Sequence, residues 1–281
     1  MRDACAAIGV FDSGVGGLTV LKALIAQLPH EHFVYLGDTA RLPYGTKSPE
    51  TVARYSLQAA EALAGYGVKC LVIACNTASS VGLPTIREHI ENVPIIGVIE
   101  PGAQAACAAS RTGNIAVIAT ERTVRGGAYQ QAILRIRPDA RVNASPAPLI
   151  VALAEEGLNE GSIANDVAAH YLRPMFSPPD DNAEIPDTLV LGCTHFPMLA
   201  GAIRRAVGAK VQIVDSAATT AVSVDAQLRA AGLMRTDRPA QGAREGQVRL
   251  LATDGSERFA RVGSRFLERS ITADEVELVD L

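Results

Sequence analysis

Short runs of β-branched and other apolar residues alternate along this chain with longer segments whose apolar positions recur every three to four residues. The runs predict strands over Ala7–Phe11, His32–Leu36, Cys70–Ala74, Ile95–Val98, Asn114–Ile118, Thr188–Leu191, Val211–Val214, Gln247–Ala252 and Val276–Val279. The intervening segments predict helices such as Leu18–Leu28, Glu50–Gly65, Thr123–Arg137, Ser162–Met175, Met198–Val207 and Ala217–Ala231. Alternation of this kind builds βαβ units around a mainly parallel sheet, so the class is α/β. Two segments rich in Pro, Gly and charge, 177–186 and 236–246, read as surface connections.

The chain also echoes itself. LVIACNT (Leu71–Thr77) and LVLGCTH (Leu189–His195) each run from an apolar strand through a small residue to a cysteine and polar residues. IGVFDSG, from Ile8, pairs in the same way with IAVIATERT, from Ile115. At about 150 residues per domain, a length of 281 residues suits two related halves. The expectation is two similar doubly wound domains with mainly parallel sheets, related by pseudo-two-fold symmetry, with an active site in the cleft between them. Residues 1–100 plus 210–281 would form the first domain and residues 101–209, inserted between those segments, the second.

Composition narrows the function. Hydrophobic residues make up 48% and charged residues 20%, enough apolar side chain for a core and too little charge for disorder. Twenty-six basic against thirty acidic residues give a net charge of −4, which removes the electrostatic footprint of a nucleic-acid binder. No apolar run approaches the roughly 20 residues of a membrane helix. The first strand pattern begins without a basic segment, long apolar core and cleavage site, so a cytoplasmic protein is expected. Five cysteines, Cys5, Cys70, Cys75, Cys107 and Cys193, with no CxxC spacing, read as mostly free thiols.

In open α/β sheets ligands bind beyond the carboxyl ends of the strands, which directs attention to four turns. Asp12-Ser13-Gly14-Val15-Gly16-Gly17 matches neither dinucleotide nor P-loop spacing; its Asp either holds an ammonium group beside Ser13 or simply caps the next helix. In the loop after Leu36, Tyr44 and Gly45 could present a hydroxyl and an N–H to a carboxylate, while Asp38 and Arg41 read as a surface ion pair. Cys75-Asn76-Thr77 and Cys193-Thr194-His195 each put a thiol at a strand's end near the start of a helix, where an anion is favoured. Either cysteine alone would read as buried. Two in matching frames suggest thiols facing each other across a cleft. Metal-ligand spacing is absent, a redox pair is not the natural reading of thiols in separate turns, and a cysteine hydrolase using Cys75 with His195 leaves Cys193 idle. The economical chemistry is two-base proton transfer, one thiolate removing a proton from carbon and the opposite thiol returning one.

FDSGVGGLTV, YLGDTARLPYG, ACNTAS, IATERTVRGGAY and GCTHFP, in that order between residues 11 and 197, resemble the motif set of the glutamate racemases, within the cofactor-independent aspartate/glutamate racemase family. The resemblance implies interconversion of L- and D-glutamate in the cytoplasm, supplying D-glutamate for peptidoglycan, without pyridoxal phosphate or metal. It implies Cys75 and Cys193 as proton donors and acceptors, Cys75 for the D- and Cys193 for the L-enantiomer. Asp12, Ser13, Tyr44, Gly45, Asn76, Thr77, Thr194 and His195 match the substrate contacts, with Asp38, Thr120, Thr123 and Glu155 in support. Gly126, Ala147 and Ala152 depart from the family's usual Ser, Cys and Pro, and no N-terminal extension for activation by a cell-wall precursor is expected. The partners implied are glutamate and a second copy of the chain in a homodimer, with neither nucleic acid nor membrane. A one-thiol hydrolase or lyase, a noncatalytic amino-acid sensor and an aspartate racemase are the competing readings.

Overall fold

The computed structural model describes residues 3–177, 184–235 and 246–281, so most of the two expected surface connections lies outside the described residues. Among the described residues ten strands form two sheets: β1 Ile8–Asp12, β2 Phe33–Gly37, β3 Cys70–Ile73, β4 Ile95–Gly97, β5 Asn114–Ala119, β6 Arg141–Pro146, β7 Thr188–Gly192, β8 Gln212–Asp215, β9 Val248–Ala252 and β10 Val276–Leu278. The first sheet runs β10-β9-β2-β1-β3-β4 and the second β6-β5-β7-β8, with every pairing parallel. Parallel sheets are covered by helices on both faces, which is why β1, β2, β3, β5 and β7 are buried along their whole length and read as continuous apolar runs.

The order β2-β1-β3-β4 in the first sheet recurs as β6-β5-β7-β8 in the second. Under that equivalence β1 matches β5 and β3 matches β7. These are the same two pairs of segments that echo each other in the sequence. Both domains are α/β with parallel sheets, as expected. β8 pairs with β7, so the second sheet extends to Asp215 and the expected boundary at 209 falls short of it. A strand's periodicity says nothing about which sheet receives it.

The α-helices that cover the sheets are, among the described residues, α1 Leu18–Gln27, α2 Pro49–Gly65, α3 Asn76–Val81, α4 Leu83–His89, α5 Ile99–Ala109, α6 Glu121–Gly126, α7 Ala128–Ile136, α8 Pro148–Glu156, α9 Gly161–Phe176, α10 Ala200–Val207, α11 Ser216–Ala230 and α12 Ser256–Leu267. The single helix expected over 123–137 is broken, because Gly127 takes φ 67°, a left-handed conformation that ends α6 and redirects the chain into α7. Met198 belongs to a 3-10 turn, Phe196–Leu199, and the helix proper starts two residues later at Ala200. Helix α11 packs against both α1 and α5, and one apolar cluster runs from Ile8, Val10 and Leu18 to Ile118, Leu189 and Leu191. The two sheets therefore share a packed boundary, and the carboxyl ends of β1, β3, β5 and β7 meet along it.

Candidate active site

A cavity of about 300 Å³ opens where those strand ends converge, and both Cys75 and Cys193 line it. With them are Ser13, Tyr44, Gly45, Asn76, Thr77, Thr120, Glu155, Thr194 and His195. Eleven of the fourteen residues singled out from the sequence thus surround one space. The other three, Asp12, Asp38 and Thr123, stand behind it.

Cys75 occupies the N-cap of α3, where its Sγ accepts the Ala78 N–H at 3.4 Å and donates to Ser13 Oγ at 3.4 Å. Burial pushes its thiol up to about 12, the Asp12 charge adds to the rise, and the Ser13 and Ala78 hydrogen bonds oppose it. These surroundings favour the protonated thiol over the thiolate. Cys193 has different company: His195 Nδ1 lies 3.8 Å from its sulfur, and His195 Nε2 lies 3.1 Å from Glu155 Oε1. Burial by itself disfavours a charged imidazole, but Cys193 and Glu155 outweigh it and push His195 up to about 10. The Glu155 carboxyl is lowered in turn, first by the His195 hydrogen bond. His195 accordingly serves the Cys193 turn, not Cys75, which removes the geometry a Cys75–His195 hydrolase would need.

Asp12 is fully buried and is not part of the lining. Its Oδ2 accepts the Gly14 N–H at 3.0 Å, while Oδ1 has no partner among the described residues. Burial raises its carboxyl, with His195 pulling the other way. The Asp38–Arg41 pair is not a surface ion pair. Asp38 is fully buried and accepts from Arg41 Nε at 2.7 Å, Thr253 Oγ1 at 2.9 Å and the Tyr44 hydroxyl. The Tyr44 proton is therefore given to Asp38, and any role toward a ligand is left to the hydroxyl's lone pairs. Burial and the Asp38 charge together push the Tyr44 phenol far up, so it stays neutral.

On the opposite wall Thr77, Thr120 and Thr123 form a triangle of hydroxyls at 2.9, 3.3 and 3.0 Å that ties α3 of the first domain to the start of α6 in the second. Gly45 sits against it, since a Cβ there would stand 2.8 Å from Thr120 Cβ. Among the described residues no group of three or more His, Cys, Asp or Glu is placed to hold a metal ion, and no helix is long and apolar enough to cross a membrane.

Residues 8–224 match the family described as Asp/Glu/hydantoin racemase. The chain belongs to this family. A glutamate racemase of Geobacter metallireducens is 48% identical over 261 residues, covering 93% of this chain and 92% of its own. One of Neisseria meningitidis is 44% identical over 274 residues, 98% and 96% of the two chains. Among solved structures, a glutamate racemase isoform of Bacillus anthracis superposes with a TM-score of 0.88 at 34% identity, over 98% of each chain. That of Francisella tularensis in complex with D-glutamate gives 0.87 at 33%, over 99% and 98%.

Several residues of this racemase-family site escaped the sequence reading. Leu42, Pro43, Pro148, Val151 and Ala152 supply an apolar wall. Arg258, on α12, bonds Glu155 Oε2 at 2.9 Å. Tyr129, on α7, donates to Asn76 Oδ1 at 2.7 Å. The apolar periodicity of 256–267 and the tyrosine closing the IATERTVRGGAY segment were the available signals, but neither says what the side chain meets.

Proposed function

We propose that this chain interconverts L-glutamate and D-glutamate by two-base proton transfer between Cys75 and Cys193. One observation carries the reading: two buried thiols, delivered by topologically equivalent strand ends of two sheets, line the same small cavity. One thiolate removes the α-proton, leaving its electron pair on Cα, and the thiol on the other face delivers its own proton there, inverting the centre. A single crossing leaves the first sulfur protonated and the second bare, so the resting enzyme alternates between two forms. Cys75 would act on the D-enantiomer and Cys193 on the L-enantiomer.

The two thiols have unlike neighbours: Cys75 is near the Asp12 carboxylate, and Cys193 lies beside an imidazole that favours its cation. An amino-acid α-proton is very weakly acidic, so charge growing toward the α-carboxylate must be met by fixed donors. Asn76 Nδ2 is buried without a partner among the described residues, and Thr77 and Thr194 also line the cavity. The open Asp12 Oδ1, behind Ser13 and Gly14, would favour a retained α-ammonium through electrostatics. The proposal uses neither pyridoxal phosphate nor metal. We assign the product D-glutamate to peptidoglycan synthesis in the cytoplasm, and the assembly to a homodimer.

L-Glutamate and L-aspartate, each incubated with the enzyme in D₂O with chelator and without pyridoxal phosphate, separate the outcomes by circular dichroism and mass spectrometry. Loss of optical signal with glutamate alone, one deuterium entering Cα, and no turnover by Cys75→Ala or Cys193→Ala are expected. Normal turnover by either variant would overturn the two-thiol mechanism, and loss of signal with aspartate instead would overturn the substrate.

A further inference from the structure

One side chain reaches the immediate chain neighbours of both thiols. Tyr129 is 1% exposed and lies in the apolar core of the second domain with Ile115, Val117, Ile133 and Val190. Its ring fills a notch left by two glycines: a Cβ on Gly192 would stand 3.0 Å from Tyr129 Cε2, and one on Gly102 would stand 3.2 Å from the hydroxyl. Gly192 directly precedes Cys193. The hydroxyl leaves the second domain and donates at 2.7 Å to Asn76 Oδ1, and Asn76 directly follows Cys75. Asn76 is 2% exposed and lines the cavity, and its Nδ2 has no partner among the described residues.

We infer that Tyr129 is a positioning residue: a strut between the two thiol-bearing turns that also fixes the plane of the Asn76 amide. Resting the ring on Gly192 ties it to the Cys193 turn. Bonding Oδ1 of Asn76 ties it to the Cys75 turn, leaving the NH₂ end of that amide free to meet a substrate carboxylate. Burial, then the Asp215 and Cys193 charges, push the phenol up, so it remains a neutral donor across the working pH range. The bond crosses the domain boundary, so orientation of the amide and docking of the domains become one event.

Tyr129→Phe keeps the ring in its notch and removes the hydroxyl, and with it the tie to Asn76 and a weaker interaction with Ser216. Two measurements follow, and only the kinetic one rests on the racemase reading. First, kcat/KM falls about tenfold, what one buried hydrogen bond supplies. The fall is equal for L- and D-glutamate because enantiomers have equal free energy and the ratio of the two kcat/KM values is fixed at one. In an Asn76→Ala background the same substitution adds no further loss. Second, the Asn76 side-chain amide signal in a ¹H–¹⁵N spectrum of the ligand-free protein shifts in Tyr129→Phe while the amides of the outer helices stay put. An equal loss in both backgrounds, or an Asn76 signal that does not move, would overturn the strut. If wild-type protein fails to racemise glutamate, the functional reading falls and the spectrum alone decides the strut.

Discussion

Glu155→Gln keeps an acceptor in front of His195 and removes its charge. In the structure His195 Nε2 lies 3.1 Å from Glu155 Oε1, the other carboxylate oxygen takes Arg258 at 2.9 Å, and the imidazole is buried. His195 is pushed from 6.5 to about 10 against the effect of burial, with Cys193 and then Glu155 supplying the rise. An opposite charge at this range shifts a group by roughly one to three units, so losing it lowers the His195 midpoint by roughly two units, on the order of 3 kcal/mol. Arg258 is about half exposed, so leaving it without its carboxylate costs little. The sign of the pH dependence follows from the direction of the shift. A folded-state value above the ordinary 6.5 adds stability that is complete below 6.5 and is lost as pH rises through about 10. In the variant the loss is complete at a lower pH. NMR titration of the His195 ring proton, paired with urea unfolding at several pH values between those limits, measures both effects. A variant imidazole that titrates at the wild-type midpoint would refute the assignment of Glu155 as its charge partner.

Asp12→Asn removes the charge that, after burial, raises Cys75 most; alkylation of Cys75 by iodoacetamide, followed against pH in a Cys193→Ala background, is expected to move to lower pH, and an unchanged profile would sink that electrostatic account. Gly16→Ala would place a Cβ 2.4 Å from both His195 Cε1 and Thr194 Oγ1, forcing that turn aside, so kcat should drop about 100-fold with the fold retained. Wild-type turnover in that variant would show that the turn tolerates displacement. Lys69→Met takes the cation from the Glu31 carboxylate, which is 2% exposed and bonded to Lys69 Nζ at 2.5 Å, leaving it the Arg235 N–H at 2.9 Å, and should cost about 3 kcal/mol in urea unfolding. Lys69 and Glu31 lie at the amino ends of the strands, remote from the cavity, so turnover per folded molecule should hold. A loss of turnover in step with stability would contradict that separation.

Much of the architecture was legible because parallel strands covered on both faces must be apolar throughout. β1, β3, β5 and β7 announce themselves in that way, and their matching turns disclosed both the repeat and the two thiols. β6 did not announce itself. Arg141–Pro146 is an edge strand with exposed and half-buried positions, and RVNASP has no apolar run to betray it. The break at Gly127 was hidden inside a continuous helical periodicity, since a single left-handed residue redirects the chain without altering the pattern on either side.

The site divides along the same line. Residue types at strand ends are local facts, and Cys75, Asn76, Thr77, Cys193, Thr194 and His195 could be named from them. Asp38 and Arg41 read as a surface pair because three-residue spacing carries no measure of burial; Thr253 and the Tyr44 hydroxyl, brought in by β9 and a separate turn, make Asp38 an interior brace. Arg258 and Tyr129 were out of reach for the same reason. Periodicity and turn chemistry act over a few residues, so the order of amino acids alone determined the buried strands, most of the helices, the repeat and the chemistry offered at each strand end. Which carboxylate faces which thiol, which sheet takes β8 and what holds Asn76 were decided only when two sheets docked, because those contacts join segments far apart in the chain and depend on the space between them.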